Sequence, residues 1–407
     1  MQNFSLNSKV YYDSKEYQIR TSNNGQLNKV ICSLFRDGDF INSKEISYKD
    51  VKDNAELLSL TKKFHNERKT EIELFFHLSQ KLSENGSAEL LNMLGLILDK
   101  YNLHYEAVKE FLKALEKQPT YSWIYNNLGK SLTAIKRYDQ AMKAFQNAIR
   151  ITPNYADFYN NLGKVYLDNG SCSQAAQQFD KAIELNSYYA EAYFNKGMTY
   201  IANQILREDF KLTTNYKTEA IACFERACLM NPSYQNSAYT EALSLVDKQD
   251  MKAALDKMKI ARDQGTQLTY IHIKYEYFLK ILFCEQDESY DTILEYVNFL
   301  KELIENYPGH ADLYNDLGLA YSMLRNYINE KAIESFESAL KINPKFEQAK
   351  RNLKLSNYEK VGSELFLKAI TFSERVKEPK KLPEKQKKLV ISENKKDLWY
   401  DAETEKF

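Results

Sequence analysis

Apolar and polar positions between Ser122 and Tyr189 alternate with two nested periods. Tyr125, Leu128 and Leu132 stand at i, i+3 and i+7, which is one apolar stripe along an α-helix. Ala141, Phe145 and Ala148 carry the same stripe on a second helix, and Pro153 stops it. The whole pattern then returns as Tyr159, Leu162, Tyr166, Ala175, Phe179 and Ala182, each thirty-four residues after its counterpart. Gly129 and Ala141 are small where the two antiparallel helices must approach closely. One such hairpin cannot bury both its faces, so stacked neighbours must cover it. The pattern predicts an all-α solenoid.

The same period runs through much of the chain. A unit at 88–121 carries Leu91, Leu94, Gly95, Leu98, Ala107, Phe111, Ala114 and Pro119. A fourth starts on schedule with Tyr193, Gly197 and Tyr200, but Ala220, Phe224, Ala227 and Pro232 come eleven residues late. The extra residues fall around Asn203 to Lys217 and lengthen the inter-helix loop or the helix ends. The fifth unit, 235–268, keeps Ala242, Leu245, Ala254 and Ala261 without the Gly and Phe. A sixth, about 269–310, has two helices in loose register. The seventh recovers Tyr314, Leu317, Gly318, Tyr321, Ala332, Phe336, Ala339 and Pro344, and helices at Phe346 to Glu359 and Glu364 to Val376 follow. The period and these residue types resemble the tetratricopeptide repeat, a helix-turn-helix unit that stacks into a superhelix. The resemblance implies a protein-binding groove.

The first fifty residues have another rhythm. Glu16 to Thr21, Asn28 to Arg36 and Asp39 to Ile46 are rich in Tyr, Val, Ile and Phe, with Asn23-Asn24-Gly25 and Asp37-Gly38 as turns between them. They predict an antiparallel β-meander, with a fourth strand at Lys9 to Tyr12, packed on a helix from Val51 to Leu82. Three segments follow: 1–87 as a capping or docking module, 88–362 as the array, and 363–407 as a last helix and a Lys-rich tail. That tail has too few apolar residues to fold alone, yet ends in Asp397-Leu398-Trp399-Tyr400-Asp401. Trp399 and Tyr400 either dock on a groove or pack on the last helices.

Composition narrows the function. Only 12 Gly and 7 Pro in 407 residues suit a helical body. Lys+Arg and Asp+Glu both number 56, so no net charge points to nucleic acid or a membrane surface. No apolar run of about 18 residues is present, and Met1 to Arg20 do not read as a secretory signal. Five cysteines without a Cys-x-x-Cys pair suggest reduced thiols in the cytoplasm.

No catalytic, metal or cofactor pattern emerges. Gly129-Lys130-Ser131 echoes the end of a phosphate-binding loop, but Ile124 replaces its first Gly and the stretch is helical. The five histidines have no metal-ligand spacing, and no Gly-x-Ser-x-Gly elbow occurs.

The candidate site is the face of the first helices. Asn127, Asn161 and Asn195 recur one per unit, with Asp316 at that place in the last, and Met93 breaks the series at its start. Lys130 and Lys164 follow one turn after Asn126 and Asn160. Repeated amides can both donate to and accept from an extended peptide. The series is similar to the asparagine ladder in the repeats of the O-linked N-acetylglucosamine transferase, whose catalytic domain has no counterpart here. That similarity implies peptide binding by exposed Asn127, Asn161 and Asn195, and the charges of Lys130 and Lys164 would add a preference for acidic ligands. The alternative is that these amides bond neighbouring helices. The resulting expectation is a non-enzymatic, cytoplasmic scaffold or adaptor for other proteins. A self-assembling homo-oligomer and a regulatory subunit of an enzyme complex are the alternatives.

Overall fold

The computed structural model describes residues 3–49, 51, 53–212, 214–265, 271–283 and 286–306, with scattered positions from 313 to 357. The chain divides into two compact units, Met1–Thr269 and Tyr270–Leu382.

The first unit opens with an antiparallel sheet of β1 (Ser5–Tyr12), β2 (Lys15–Asn24), β3 (Lys29–Arg36) and β4 (Asp39–Ser47), in sequential order. The fourth strand expected from Lys9 is therefore real and begins four residues earlier, at Ser5. Asp37 and Gly38 both take positive φ, 50° and 96°, which gives a tight hairpin the twist its strands need. Asp13 and Ser14 do the same between β1 and β2, at 50° and 61°, without glycine. Tyr17, Ile19 and Thr21 of β2, and Val30, Cys32 and Leu34 of β3, are buried at alternate positions. They face α1 (Asn54–Asn85), whose start is fixed by the Asp53 side chain accepting from the Glu56 amide. Phe76 of α1 stacks on Tyr12 at 4.3 Å, and His65 sits buried between the hydroxyls of Ser8 and Thr21 at 2.8 and 2.9 Å.

Five helix pairs follow: α2 (Ala88–Lys100) with α3 (His104–Lys117), α4 (Ser122–Ala134) with α5 (Tyr138–Ile151), and α6 (Ala156–Asp168) with α7 (Cys172–Leu185). Then come α8 (Ala190–Leu206) with α9 (Tyr216–Met230), and α10 (Ser237–Asp247) with α11 (Met251–Gly265). Inside the first four pairs a Phe of the second helix lies over a Gly of the first. A Cβ at Gly95, Gly129, Gly163 or Gly197 would come within 2.5, 2.7, 2.6 or 2.7 Å of the rings of Phe111, Phe145, Phe179 or Phe224. The small residue thus serves an aromatic ring, not a bare approach of two backbones. The second helices end where the residue before proline turns extended, at Gln118, Thr152 and Asn231. Asn186 makes that turn before Ser187, its side chain accepting from the Tyr188 amide at 3.1 Å in place of the missing ring.

The eleven extra residues of the fourth unit are shared between helix and loop. α8 has 17 residues where α4 and α6 have 13, and a loop with a short 3-10 turn, Phe210–Leu212, leads to α9. Asn203 holds this loop by donating to the Asp209 carbonyl at 2.7 Å and accepting from its amide at 3.0 Å.

The fifth pair departs from the expected order. α11 makes the main contact with α8, while α10 reaches it through Tyr239, whose ring lies 6.3 Å from that of Phe194. The carbonyls at the end of α11 are held by two amides of the preceding segment: Asn231 donates to Gly265 and Asn236 to Ala261, both at 2.9 Å. Gly265 lies against the ring of Tyr234.

Sheet and array are joined by buried carboxylates on α3. Tyr17 and Arg36 both donate to Glu106, while Ser79 of α1 and Lys113 donate to Glu110.

In the second unit α12 (Ile271–Phe283) and α13 (Gln286–Asn306) form a hairpin, with Tyr277 stacked on Tyr296 at 4.9 Å. Most of the seventh repeat, the two helices expected after it and the Lys-rich tail lie outside the described residues.

Candidate functional site

The first helices α2, α4, α6 and α8 lie side by side and share one face. Asn127, Asn161 and Asn195 stand on it at equivalent positions, as the period requires, but they are buried, at 9%, 8% and 0% exposure. Each amide nitrogen donates to the carbonyl oxygen of an Asn in the preceding unit. Asn127 bonds Asn92, Asn161 bonds Asn126, and Asn195 bonds Asn160, every time at 2.9 Å. Two interlocked series therefore run through the array, donors at 127, 161 and 195 and acceptors at 92, 126 and 160. The expected break at Met93 does not interrupt them, because Asn92 supplies the acceptor. Arg262 of α11 ends the row, its Nη1 reaching Asn195 Oδ1 at 3.3 Å. Asp316 is also buried, and in the second unit it pairs with Lys274 at 3.0 Å.

The two lysines have different surroundings. Lys164 is bound to Glu191 at 3.1 Å. Burial pushes the Glu191 carboxyl up, but Lys164, with lesser help from Arg262 and Lys130, outweighs this and holds it below the usual range. Lys130 is exposed and, among the described residues, forms no ion pair. Enclosure by the surrounding protein and then the Lys164 cation lower its pKa, against the pull of Asp157, Glu191 and Asp99. Ser131 donates to Asp99 at 2.6 Å and Gly129 lies under Phe145, so Gly129-Lys130-Ser131 is part of α4 and not a loop.

A tyrosine series escaped the sequence reading. Tyr121, Tyr155 and Tyr189 close consecutive units, and Tyr234 holds that place after the insertion. Each meets the second position of the preceding first helix. Tyr121 donates to Glu89 at 3.0 Å, Tyr155 sets its ring edge on Trp123 at 4.8 Å, and Tyr189 interacts with Asp157. Tyr234 has its pKa pushed up to about 12, by burial first and then by Glu191. The residues two after Pro119, Pro153 and Pro232 were the available signal. Trp123, partly exposed, also rests against buried Phe158 at 5.0 Å. Trp123, Asn127 and Lys130 fall at i, i+4 and i+7, on one face of α4.

Among the described residues no three His, Cys, Asp or Glu side chains converge as for a metal, and no helix is long and apolar enough to cross a membrane. Cys32, Cys172, Cys223 and Cys228 are buried free thiols.

Comparison with known proteins gives one consistent result. Family profiles described as tetratricopeptide repeat or TPR repeat match residues 110–143, 129–170, 160–208 and 311–346. Among solved structures, MamA is 25% identical over 40% of this chain and 92% of its own, with a TM-score of 0.33. YrrB, a TPR protein described as having an unusual peptide-binding site, is 21% identical over 48% and 95%, with a TM-score of 0.32. The pilF protein of Pseudomonas aeruginosa is 19% identical over 56% and 95%, with a TM-score of 0.34. No curated protein matches the chain.

Proposed function

The chain is a tetratricopeptide repeat protein, and on that premise we propose that it is a non-enzymatic scaffold or adaptor. It holds partner peptides on the shared face of α2, α4, α6 and α8. The observation that carries this reading is the contrast within that face. Its floor is a row of buried amides bonded from unit to unit, which fixes the helices against one another. Its surface is a mixture of partly exposed aromatic, cationic and anionic groups: Trp123, Tyr155, Lys130, Asp157, Lys164 and Glu191. A rigid floor under adaptable polar contacts binds an extended chain at low ordering cost. In this reading Asn127, Asn161 and Asn195 act as the buried frame beneath the ligand, not as its contacts. Lys130 and Lys164 contact the ligand directly. Buried, unpaired thiols suit the cytoplasm as the working compartment.

The test is capture of partners by the full chain and by a Trp123→Ala/Lys130→Glu double variant, read by mass spectrometry. Proteins held by the wild type and lost by the variant support the face as the binding site. Equal recovery from a folded variant would move binding to the outer face or to the loop at 207–215.

A further inference from the structure

We propose that the segment Asp397–Asp401 of this same chain is a resident occupant of the α4–α6 part of this face, so that the protein screens its own binding site. The inference rests on the reading of that face as a peptide site. Lys130 is an exposed cation with no ion pair among the described residues, in a face whose other lysine is already bound to a carboxylate. The surrounding protein and Lys164 disfavour its positive charge more than Asp157, Glu191 and Asp99 favour it, so a carboxylate in direct contact would add to that support. Seven residues before it on the same helix stands Trp123, partly exposed, with Tyr155 at its edge. The face therefore asks for a ligand with an aromatic side chain and a carboxylate a short step apart.

The chain contains such a ligand. In an extended strand Asp397, Trp399 and Asp401 point the same way, and the opposite side carries Leu398 and Tyr400. Trp123 and Lys130 are about 10 Å apart along the helix axis at 1.5 Å per residue. Asp397 and Trp399 are about 6 to 7 Å apart in a strand, and the four-carbon stem of Lys130 spans the difference. Thirty-nine residues lie between residue 357, the last described, and Asp397, so the segment is joined to the array by a long tether. Tethering also makes the docking intramolecular, so its occupancy does not depend on protein concentration. The seat is then open only to a partner that competes with the segment.

The full-length chain is made with a photoreactive benzoylphenylalanine in place of Trp399, irradiated, digested and mapped. Adducts within residues 121–164, on a product of monomer mass, are expected, and Lys130→Glu should reduce them at least fivefold. Adducts elsewhere, no adducts, or adducts only on a product of dimer mass would overturn the proposal. In a second arm a labelled peptide of residues 395–407 is titrated onto the full-length Trp399→Ala chain. Saturable binding that weakens about tenfold or more with Lys130→Glu supports the segment as ligand. No binding rejects it while leaving the partner-capture result untouched, so the two readings fail separately.

Discussion

Gly163 lies beneath the ring of Phe179, where any added carbon must displace an aromatic side chain buried in the core. Gly163→Leu is therefore expected to cost about 1–3 kcal/mol, the usual range for overpacking. Urea denaturation checks it, and shrinking the ring with Phe179→Leu in the same chain should restore part of the loss. Asn161 makes a second case. Its amide is buried and bonded to Asn126, so Asn161→Ala leaves the Asn126 oxygen without its donor and should cost about 1–3 kcal/mol. A thermal melt reads this directly. An unchanged melt would show that the row of amides does not hold the units together. The sequence disclosed these residues through their period, but not their work. Asn161 and Asn126 are thirty-five residues apart, and only the offset between packed helices brings an amide to the Asn before its own equivalent. Exposure was the natural expectation for a repeated polar residue on a binding face, and burial in pairs is the alternative that the sequence left open.

The contact between the sheet and α1 contains a titratable group of its own. His65 is enclosed by Ser8 and Thr21, with Lys69 one turn away on the same helix. Burial first, and Lys69 second, hold its imidazole below the ordinary value of 6.5. Below that value the unfolded chain binds a proton that the folded chain does not yet accept, so stability falls as pH falls. The urea midpoint should therefore drop between pH 7.5 and pH 5.5. In His65→Gln the drop over that window should be shallower, whatever the variant's absolute stability. Legibility differs from element to element here. The β3–β4 turn was plain from Asp37-Gly38, whereas the first hairpin turns on Asp13-Ser14, residues that tolerate positive φ without announcing it. That α11 rather than α10 makes the main contact with α8 was not legible at all. It depends on Asn231 and Asn236 reaching the end of a later helix, and no local pattern encodes that pairing.

The N-terminal module and the array share buried polar groups, and this bears on what the module is for. Removing residues 1–82 would strip Glu106 of Tyr17 and Arg36 and Glu110 of Ser79. It would also leave the apolar side of α2 without α1. Buried carboxylates without partners are costly, so the truncated chain should melt at lower temperature and sediment as larger species. Unchanged melting and a monomeric truncation would instead favour an independent docking module.

The turned-over fifth pair decides where this protein can be lengthened. Upstream of it every junction is the same: an Asn donor meets an Asn acceptor, and a second helix meets the next first helix. A second copy of residues 122–155 spliced in after Tyr155 finds both its neighbours already shaped for it. The enlarged chain should still unfold in one transition, at equal or higher temperature, since each added unit contributes its own stability and one more interface. The same thirty-four residues placed after Tyr234 would meet Arg262 and the Asn-held end of α11 instead. That insertion should split the calorimetric transition or abolish it. The array is open to growth by duplication on one side of α8 and closed on the other.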